Sequence, residues 1–209
     1  MALVKICGIN SDAAMDAAVE AGADYVGFVF FPASPRYVTP VEAAMLSTRH
    51  KGATPKRVGL FVNPGFDEVD AILHEISLDI LQVHGNPSLA AALRDRFGRP
   101  VWRQLGVTTA ADFPDAHDHA DGYVVEAKPP PGATRPGGNA VQADWNLLAN
   151  FRPAKPWLLA GGLRPDNVAE ALRVTGAPGA DVSSGVETAP GQKSPELIKK
   201  FIAAVRGRG

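Results

Sequence analysis

The residue of this chain with the most distinctive chemistry is Cys7, the single cysteine among 209 residues. It ends a short apolar segment, Leu3–Cys7, and Gly8 follows it directly. Because no second cysteine exists in the chain, Cys7 has no internal disulfide partner and serves either packing or chemistry. Free cysteine commonly packs as a small hydrophobe, whereas a reactive cysteine needs a setting that favours its thiolate.

Polar and ionisable side chains follow other apolar segments in the same way. Each is compatible with a solvated strand end, and for His84 a structural and a functional role are equally open. For Arg36 the alternatives are an exposed ion pair or a guanidinium held by the Ser34–Pro35 loop for a carboxylate ligand. The set comprises Arg36, Gln82, His84, Glu126, Lys128 and Asp181.

Two glycine-containing segments near the C-terminal end are suited to bind an anion. They read Ala-Gly-Gly-Leu at residues 160–163 and Ser-Ser-Gly-Val at residues 183–186. Glycine lets backbone N–H groups approach an anion closely, and the N-terminus of a following helix adds partial positive charge. One Gly-Gly pair commonly marks only a tight turn. Two such loops in adjacent units favour phosphate binding, here by Gly161, Gly162, Ser183, Ser184 and Gly185.

The elements that position these residues follow from the hydrophobic pattern, because short apolar segments alternate with amphipathic ones along the whole chain. Each apolar segment is a predicted strand, and a helical pattern follows each. Four helices have clear end signals, such as the N-cap residues Ser11 and Thr39; they are Ser11–Glu20, Pro40–Arg49, Pro165–Val174 and Ser194–Val205. The predicted strands are Leu3–Cys7, Tyr25–Phe30, Arg57–Val62, Ile80–Val83, Val101–Gly106, Gly122–Glu126, Pro156–Ala160 and Ala180–Ser183.

Strands that are apolar throughout and separated by helices indicate a parallel sheet buried on both faces. Eight units of about 26 residues, without a linker, favour a closed (β/α)8 barrel, with residues 1–209 forming a single domain. The alternative is a doubly wound open sheet. It would carry a glycine-rich dinucleotide turn after the first strand, and Cys-Gly-Ile-Asn-Ser at residues 7–11 is not one. In a barrel, chemistry lies at the carboxyl ends of the strands and phosphate binds after strands seven and eight.

The composition excludes several classes of partner. With 21 Lys and Arg against 22 Asp and Glu, the net charge of −1 gives no electrostatic footprint for nucleic acid. No basic segment leads into a long apolar run at the N-terminus, and no apolar run approaches the roughly 18 residues that cross a membrane. One unpaired cysteine fits a reducing compartment. A cytoplasmic protein that binds a small molecule is expected.

The segment Asp115-Ala116-His117-Asp118-His119 resembles a metal site in composition alone. It falls in a helix-to-strand connection, away from the predicted catalytic end of the barrel. An exposed polar turn is the favoured interpretation, and no metal site is predicted.

Six sequence blocks, taken in order, resemble one known family from end to end. Together they closely resemble the phosphoribosylanthranilate isomerases of tryptophan biosynthesis. The resemblance implies a (β/α)8 barrel without cofactor or metal that converts N-(5-phosphoribosyl)anthranilate to 1-(2-carboxyphenylamino)-1-deoxyribulose 5-phosphate, an Amadori rearrangement. The blocks are Lys5–Gly8, Gly27–Tyr37, Gly59–Asn63, Leu81–Gly85, Leu159–Leu163 and Asp181–Glu187.

The resemblance also implies roles for single residues. Cys7 falls on the family's general base, which removes the C2 proton, and Arg36 falls where the anthranilate carboxylate binds. The two glycine loops would hold the phosphate of the phosphosugar substrate. His84 and Asp181 are predicted to contact the substrate. The family contains both monomers and homodimers, and acceptance of a second, related substrate stays open.

Glu126 departs from the family pattern, in which an aspartate supplies the acid for ring opening. Glutamate has a similar intrinsic pKa, but its extra methylene moves the proton by roughly 1 Å, which can cost on the order of a hundredfold in rate. Three interpretations compete: the loop has shifted to accommodate glutamate, activity is reduced, or Asp181 shares the acid role. The proline-rich segment at residues 129–138 is either a lid or an ordinary long connection.

Lys5 lies two residues before Cys7, so both side chains should face the barrel interior. A buried ammonium needs a carboxylate partner, and Asp181 and Glu187 are the candidates. We expect Lys5 to lower the pKa of the Cys7 thiol and so to supply the base in its active form.

Two other classes of function compete with the isomerase. A different phosphosugar enzyme of the same fold is disfavoured, because an epimerase would show a metal site and indoleglycerol-phosphate synthase would place lysine and glutamate where this chain has cysteine. A non-catalytic phosphosugar-binding barrel is the second alternative. Glu126 is the one feature in its favour.

Overall fold

The computed structural model describes residues 1–50, 55–115, 118–128 and 144–207. In this part of the chain, eight parallel strands pair in sequence order and the first closes onto the eighth. The predicted closed barrel is therefore confirmed, and the doubly wound sheet is excluded. The strands are β1 Leu3–Cys7, β2 Tyr25–Val29, β3 Lys56–Val62, β4 Ile80–His84, β5 Val101–Val107, β6 Gly122–Ala127, β7 Trp157–Leu159 and β8 Gly179–Val182.

Helices connect the strands, and their ends follow the capping signals of the sequence. Ser11 accepts a hydrogen bond from the backbone N–H of Ala14, and Thr39 forms a reciprocal capping box with Glu42. Both predicted N-caps are confirmed. The helices are α1 Asp12–Glu20, α2 Pro40–Ser47, α3 Phe66–Glu75, α4 Ser88–Phe97, α5 Trp145–Leu148, α6 Val168–Thr175 and α7 Pro195–Val205.

The connections differ from the prediction in three places. After β5 the predicted helix is a single 3-10 turn at Ala110–Asp112, which the Pro114 that follows prevents from continuing. The helix predicted from Pro165 begins only at Val168. The sequence analysis missed the short antiparallel hairpin formed by β9 Glu187–Ala189 and β10 Gln192–Lys193.

The barrel interior is built in layers, because residues two apart in a strand point to the same side. A lower layer of apolar side chains packs, together with Ala160 above it, into its own cluster; the layer consists of Val58, Ile80, Trp102, Val124 and Leu158. Two residues further along the same strands, the layer that lines the open end of the barrel is more polar. Its members are Leu60, Gln82, Gln104, Glu126 and Ala160. The apolar layer is thus a floor for a polar cavity.

A larger apolar cluster packs between the strands and the surrounding helices. Phe201 and Ile198 of α7 are fully buried in it, as are Ala14 and Ala18 of α1. No helix in the described residues is long and apolar enough to cross a membrane.

Candidate active site

The carboxyl ends of the barrel strands surround one cavity of about 780 Å³, counted to its open mouth. Every residue that the sequence analysis assigned to catalysis, substrate binding or phosphate binding lines it. These residues are Cys7, Arg36, His84, Glu126, Gly161, Gly162, Asp181, Ser183, Ser184 and Gly185.

Cys7 lies at the end of β1 with only 4% of its surface exposed. Gly27 faces it from β2, and a Cβ added there would lie 2.9 Å from the sulfur. The glycine therefore makes room for the thiol. Burial raises the pKa of Cys7, whereas the nearby positive charges of Lys5 and Lys193 act to lower it.

Lys5 is fully buried and donates a hydrogen bond of 2.9 Å to Oδ1 of Asp181. The two residues are opposite each other in the β1–β8 ladder. Burial acts to lower the pKa of Lys5, but Asp181 and Cys7 raise it by a larger amount. The net shift of the pKa is therefore upward, and the ammonium stays charged. Of the two predicted partners, Asp181 is confirmed. As expected, Lys5 acts to lower the pKa of the Cys7 thiol, but burial of the thiol outweighs this effect, so the net shift of the pKa is upward.

Glu126 comes from β6 and is 8% exposed. Gln82 of β4 lies on the same layer and donates from Nε2 to Oε1 of Gln104 at 2.9 Å. The Oε1 of Gln82 is buried, and no residue in the described part of the chain donates a hydrogen bond to it. Gln82 and Gln104 both line the cavity and add polar groups to its wall.

His84 ends β4 and is also 8% exposed. Burial, and to a lesser extent the charge of Lys5, lowers its pKa to about 4. The imidazole is therefore neutral near pH 7, where one ring nitrogen donates and the other accepts. It adds hydrogen-bonding capacity to the cavity without adding charge.

Arg36 follows β2 and makes a two-pronged ion pair with Glu187. Its Nε lies 2.7 Å from Oε1 and its Nη2 lies 2.9 Å from Oε2. Both side chains are buried, so the ion pair anticipated as exposed is an interior one. Gly8 has φ +77°, and a Cβ on it would lie 2.7 Å from Cδ of Arg36. The guanidinium stem packs where only glycine leaves room.

The two predicted phosphate loops lie against each other at the ends of β7 and β8. Gly161 and Gly162 both adopt positive φ, at +83° and +65°, which glycine tolerates without a steric penalty. A Cβ on Gly185 would lie 1.8 Å from the carbonyl oxygen of Leu163. This close approach brings the backbone of both loops to one end of the cavity.

Lys193 is a buried residue that the sequence analysis missed. It lies on β10 with a fully buried side chain, and its Nζ bonds to Glu187 and to both the carbonyl and hydroxyl oxygens of Ser183. Lysine is seldom fully buried, so its residue type gave no signal. The Pro190–Gly191 turn between Glu187 and Lys193 was the available sign of a hairpin.

Two of the sequence interpretations fall on residues outside the described part of the chain. The suggested lid at residues 129–138 lies there entirely. Of the segment 115–119, residues 116 and 117 lie there too, while Asp118 pairs with Arg103 in a buried position. Among the described residues, no group of three or more His, Cys, Asp or Glu is placed to hold a metal ion.

Comparisons with known proteins agree with the fold. Residues 4–204 match the family model described as N-(5'phosphoribosyl)anthranilate (PRA) isomerase. A protein of Granulibacter bethesdensis named N-(5'-phosphoribosyl)anthranilate isomerase is 52% identical over 208 residues, covering 99% of each chain. The Thermotoga maritima phosphoribosyl anthranilate isomerase structure has a TM-score of 0.83 at 33% identity, covering 99% of this chain and 100% of its own.

A further solved structure shows a relative with a ligand bound. It is a phosphoribosyl anthranilate isomerase in complex with reduced 1-(o-carboxyphenylamino)-1-deoxyribulose 5-phosphate. The two folds agree with a TM-score of 0.81 at 32% identity, over 99% of this chain and 100% of the other.

Proposed function

The chain belongs to the N-(5'-phosphoribosyl)anthranilate isomerase family, and on this premise we propose how its own residues carry out the isomerisation. The reaction is the Amadori rearrangement of tryptophan biosynthesis, which opens the ribose ring of N-(5'-phosphoribosyl)anthranilate and yields 1-(2-carboxyphenylamino)-1-deoxyribulose 5-phosphate. It needs an acid at the ring oxygen and a base at C2. It also needs anchors for a carboxylate and a phosphate.

The observation that supports this assignment best is that one cavity holds all four parts. Cys7 and Glu126 enter it from β1 and β6, and Arg36 and the two glycine loops line it as well. Anchors at the two ends of a substrate fix the reacting carbon between them, so that binding energy from remote groups serves the chemical step.

Glu126 is the proposed acid. In its protonated form it gives a proton to the furanose ring oxygen, the C–O bond breaks, and the nitrogen lone pair forms an imine with C1. Cys7, as the thiolate, then removes the C2 proton. The resulting enamine tautomerises to the ketone.

Asp181 is less suited to the acid role than Glu126. Its Oδ1 already accepts the hydrogen bond of the buried Lys5 ammonium at 2.9 Å, so this carboxyl group is engaged in the β1–β8 pair. We therefore assign the acid to Glu126. The expected shift of the loop after β6 falls on residues outside the described part of the chain.

Arg36 is the proposed anchor of the anthranilate carboxylate. Its pair with Glu187 uses two of the five guanidinium N–H bonds and leaves the Nη1 edge for the ligand. Gly161, Gly162 and residues 183–185 are the proposed phosphate anchor. The neutral His84 and Gln82, which both line the cavity, are the proposed partners of the ribose hydroxyl groups.

The experiment that tests this function is turnover of N-(5'-phosphoribosyl)anthranilate by the wild-type chain, followed by the change in anthranilate fluorescence. We expect turnover together with binding of the reduced product analogue. Binding of the analogue without turnover would instead support the non-catalytic phosphosugar-binding barrel.

Two further properties are part of the proposal. We propose that residues 1–209 form one barrel domain, and that the protein acts in the cytoplasm, as its single unpaired cysteine suggests. Sedimentation velocity distinguishes a monomer from a homodimer.

A further inference from the structure

Glu187 is saturated with hydrogen-bond donors. It accepts from Nε and Nη2 of Arg36, from Nζ of Lys193 and from the backbone N–H of Gly191 at 3.2 Å. A carboxylate has about four lone-pair sites, so little capacity is left for a ligand. Glu187 is thus an orienting group for the guanidinium rather than a group that touches substrate.

Lys193 is saturated in the same way. Its three N–H bonds have three acceptors: an oxygen of Glu187, the carbonyl oxygen of Ser183 at 3.1 Å and the hydroxyl of Ser183 at 3.3 Å. The side chain is fully buried. The ammonium therefore holds the first residue of the phosphate loop and the partner of Arg36 simultaneously.

The hairpin that bears Lys193 is itself fixed to two other loops. The carbonyl oxygen of Gly191 accepts a hydrogen bond from Asn10 of the β1 loop at 2.9 Å. A Cβ on Gly191 would lie 2.2 Å from the carbonyl oxygen of Pro35, which precedes Arg36. The β1, β2 and β8 loops therefore meet at this hairpin.

The cluster formed by Arg36, Glu187 and Lys193 carries a net charge. Arg36 and Lys193 carry two positive charges against the single negative charge of Glu187, which leaves the cluster with one net positive charge. In a buried setting such a charge attracts anions more strongly than in water. Removing the ammonium would leave a neutral Arg36–Glu187 pair.

We propose that Lys193 is a positioning residue that sets both anion anchors of the active site: through Glu187 it orients Arg36 for the substrate carboxylate, and through Ser183 it holds the phosphate loop. This inference rests on the proposed function for the identity of the two anions. It adds that the two anchors depend on one buried side chain that contacts neither anion.

The test measures ligand binding and does not require turnover. Its result can therefore be interpreted even if the protein proves to be inactive. Two probes are titrated calorimetrically into the full-length protein: the reduced product analogue and its phenylamino counterpart without the carboxyl group. The ratio of their Kd values measures how much the carboxylate anchor contributes to binding. A charge-assisted hydrogen-bonded contact predicts a wild-type ratio on the order of ten- to a hundredfold. Inorganic phosphate is the third probe and reports on the phosphate loop.

The Lys193→Met variant removes the ammonium group and keeps an unbranched apolar stem that reaches about as far as Cε of lysine. We expect its Kd ratio to fall several-fold and its affinity for inorganic phosphate to weaken. Glu187→Gln should lower the ratio and leave phosphate affinity near wild type, because Glu187 does not bond to Ser183. Lys199→Met is the matched control, since Lys199 lies exposed on α7 and pairs with Glu20.

A Lys193→Met variant that is folded by circular dichroism and keeps either the wild-type ratio or the wild-type phosphate affinity overturns the proposal. Should that variant not fold, Glu187→Gln decides, and an unchanged ratio in it overturns the proposal equally.

Discussion

At the Cys7 thiol two effects oppose each other. Burial raises its pKa above the ordinary value of 9.0, while Lys5 and Lys193 stabilise the thiolate. A base with a raised pKa is present as thiolate in a small fraction at neutral pH, but each thiolate is a stronger base. Two side chains, Lys5 on β1 and Lys193 on β10, therefore limit how far burial raises the pKa of the thiol.

The pH dependence of Cys7 alkylation by iodoacetamide measures this balance. Because only the thiolate reacts, the rate should rise with pH to a midpoint above 9.0 in the wild type. Lys5→Met should move the midpoint higher, since the ammonium that favours the thiolate is gone. The double variant Lys5→Met/Asp181→Asn should fall between them, because the Asp181 charge raises the thiol pKa. Identical profiles for all three would contradict the role of Lys5.

Substitutions of Glu126 test its proposed role as the acid. Glu126→Gln removes the proton donor and should lower kcat by about 10²- to 10⁴-fold. Glu126→Asp keeps the proton but moves it by about 1 Å, so a loss of up to roughly a hundredfold is expected. Binding of the reduced product analogue should change little in either. Glu68→Gln, on the exposed face of α3, is the control. A Glu126→Gln variant with wild-type kcat would show that the acid lies elsewhere.

Among the elements, strands were predicted more accurately than connections. The segment Leu3–Cys7 was placed without error, because an apolar strand ending in Cys-Gly has clear limits. A helix was predicted after β5, but only the single turn Ala110–Asp112 forms, because Pro114 is a local stop signal that the prediction did not use. The β9–β10 hairpin was missed, because its strands are three and two residues long, too short for any periodicity.

Because the β7 and β8 loops are in close contact, a side chain added at Gly185 should disturb both of them. Gly185→Ala places a Cβ against the backbone carbonyl of Leu163, and neither backbone can yield without moving a loop. We expect inorganic phosphate to bind roughly tenfold or more weakly, equivalent to the loss of one charge-assisted hydrogen bond. Inhibition of turnover by phosphate measures this. Gly65→Ala is the control, because a Cβ there has no atom within 4 Å. Equal phosphate affinity in both variants would refute the proposed anchor.

Considered as a whole molecule, the barrel is closed by the β1–β8 ladder, and the buried Lys5–Asp181 pair crosses it. Lys5→Met leaves an unpaired carboxylate in the interior, so the free energy of unfolding should fall by about 3–5 kcal/mol. Lys5→Met/Asp181→Asn should recover much of this loss, because no buried charge is left alone. Urea unfolding at pH 7 measures both. A double variant no more stable than Lys5→Met would contradict the account.

The whole-molecule features were the most predictable from sequence, and the buried ion pairs the least. Eight apolar segments at near-even spacing determine a closed barrel and the end of it where chemistry lies. The same reasoning brought all ten predicted site residues to one cavity. It did not reveal Lys193 or the pairing of Arg36 with Glu187, because contacts between distant segments depend on loop geometry that no local pattern contains.

The central claim is that Cys7 is the base of the isomerisation. The most direct measurement compares kcat of the wild type and Cys7→Ser on N-(5'-phosphoribosyl)anthranilate, with affinity for the reduced product analogue measured in parallel. Serine nearly keeps the shape of cysteine but does not ionise in the working pH range. The account predicts a loss of about 10²- to 10⁴-fold in kcat with analogue affinity nearly unchanged. A Cys7→Ser variant that turns over at the wild-type rate would contradict it.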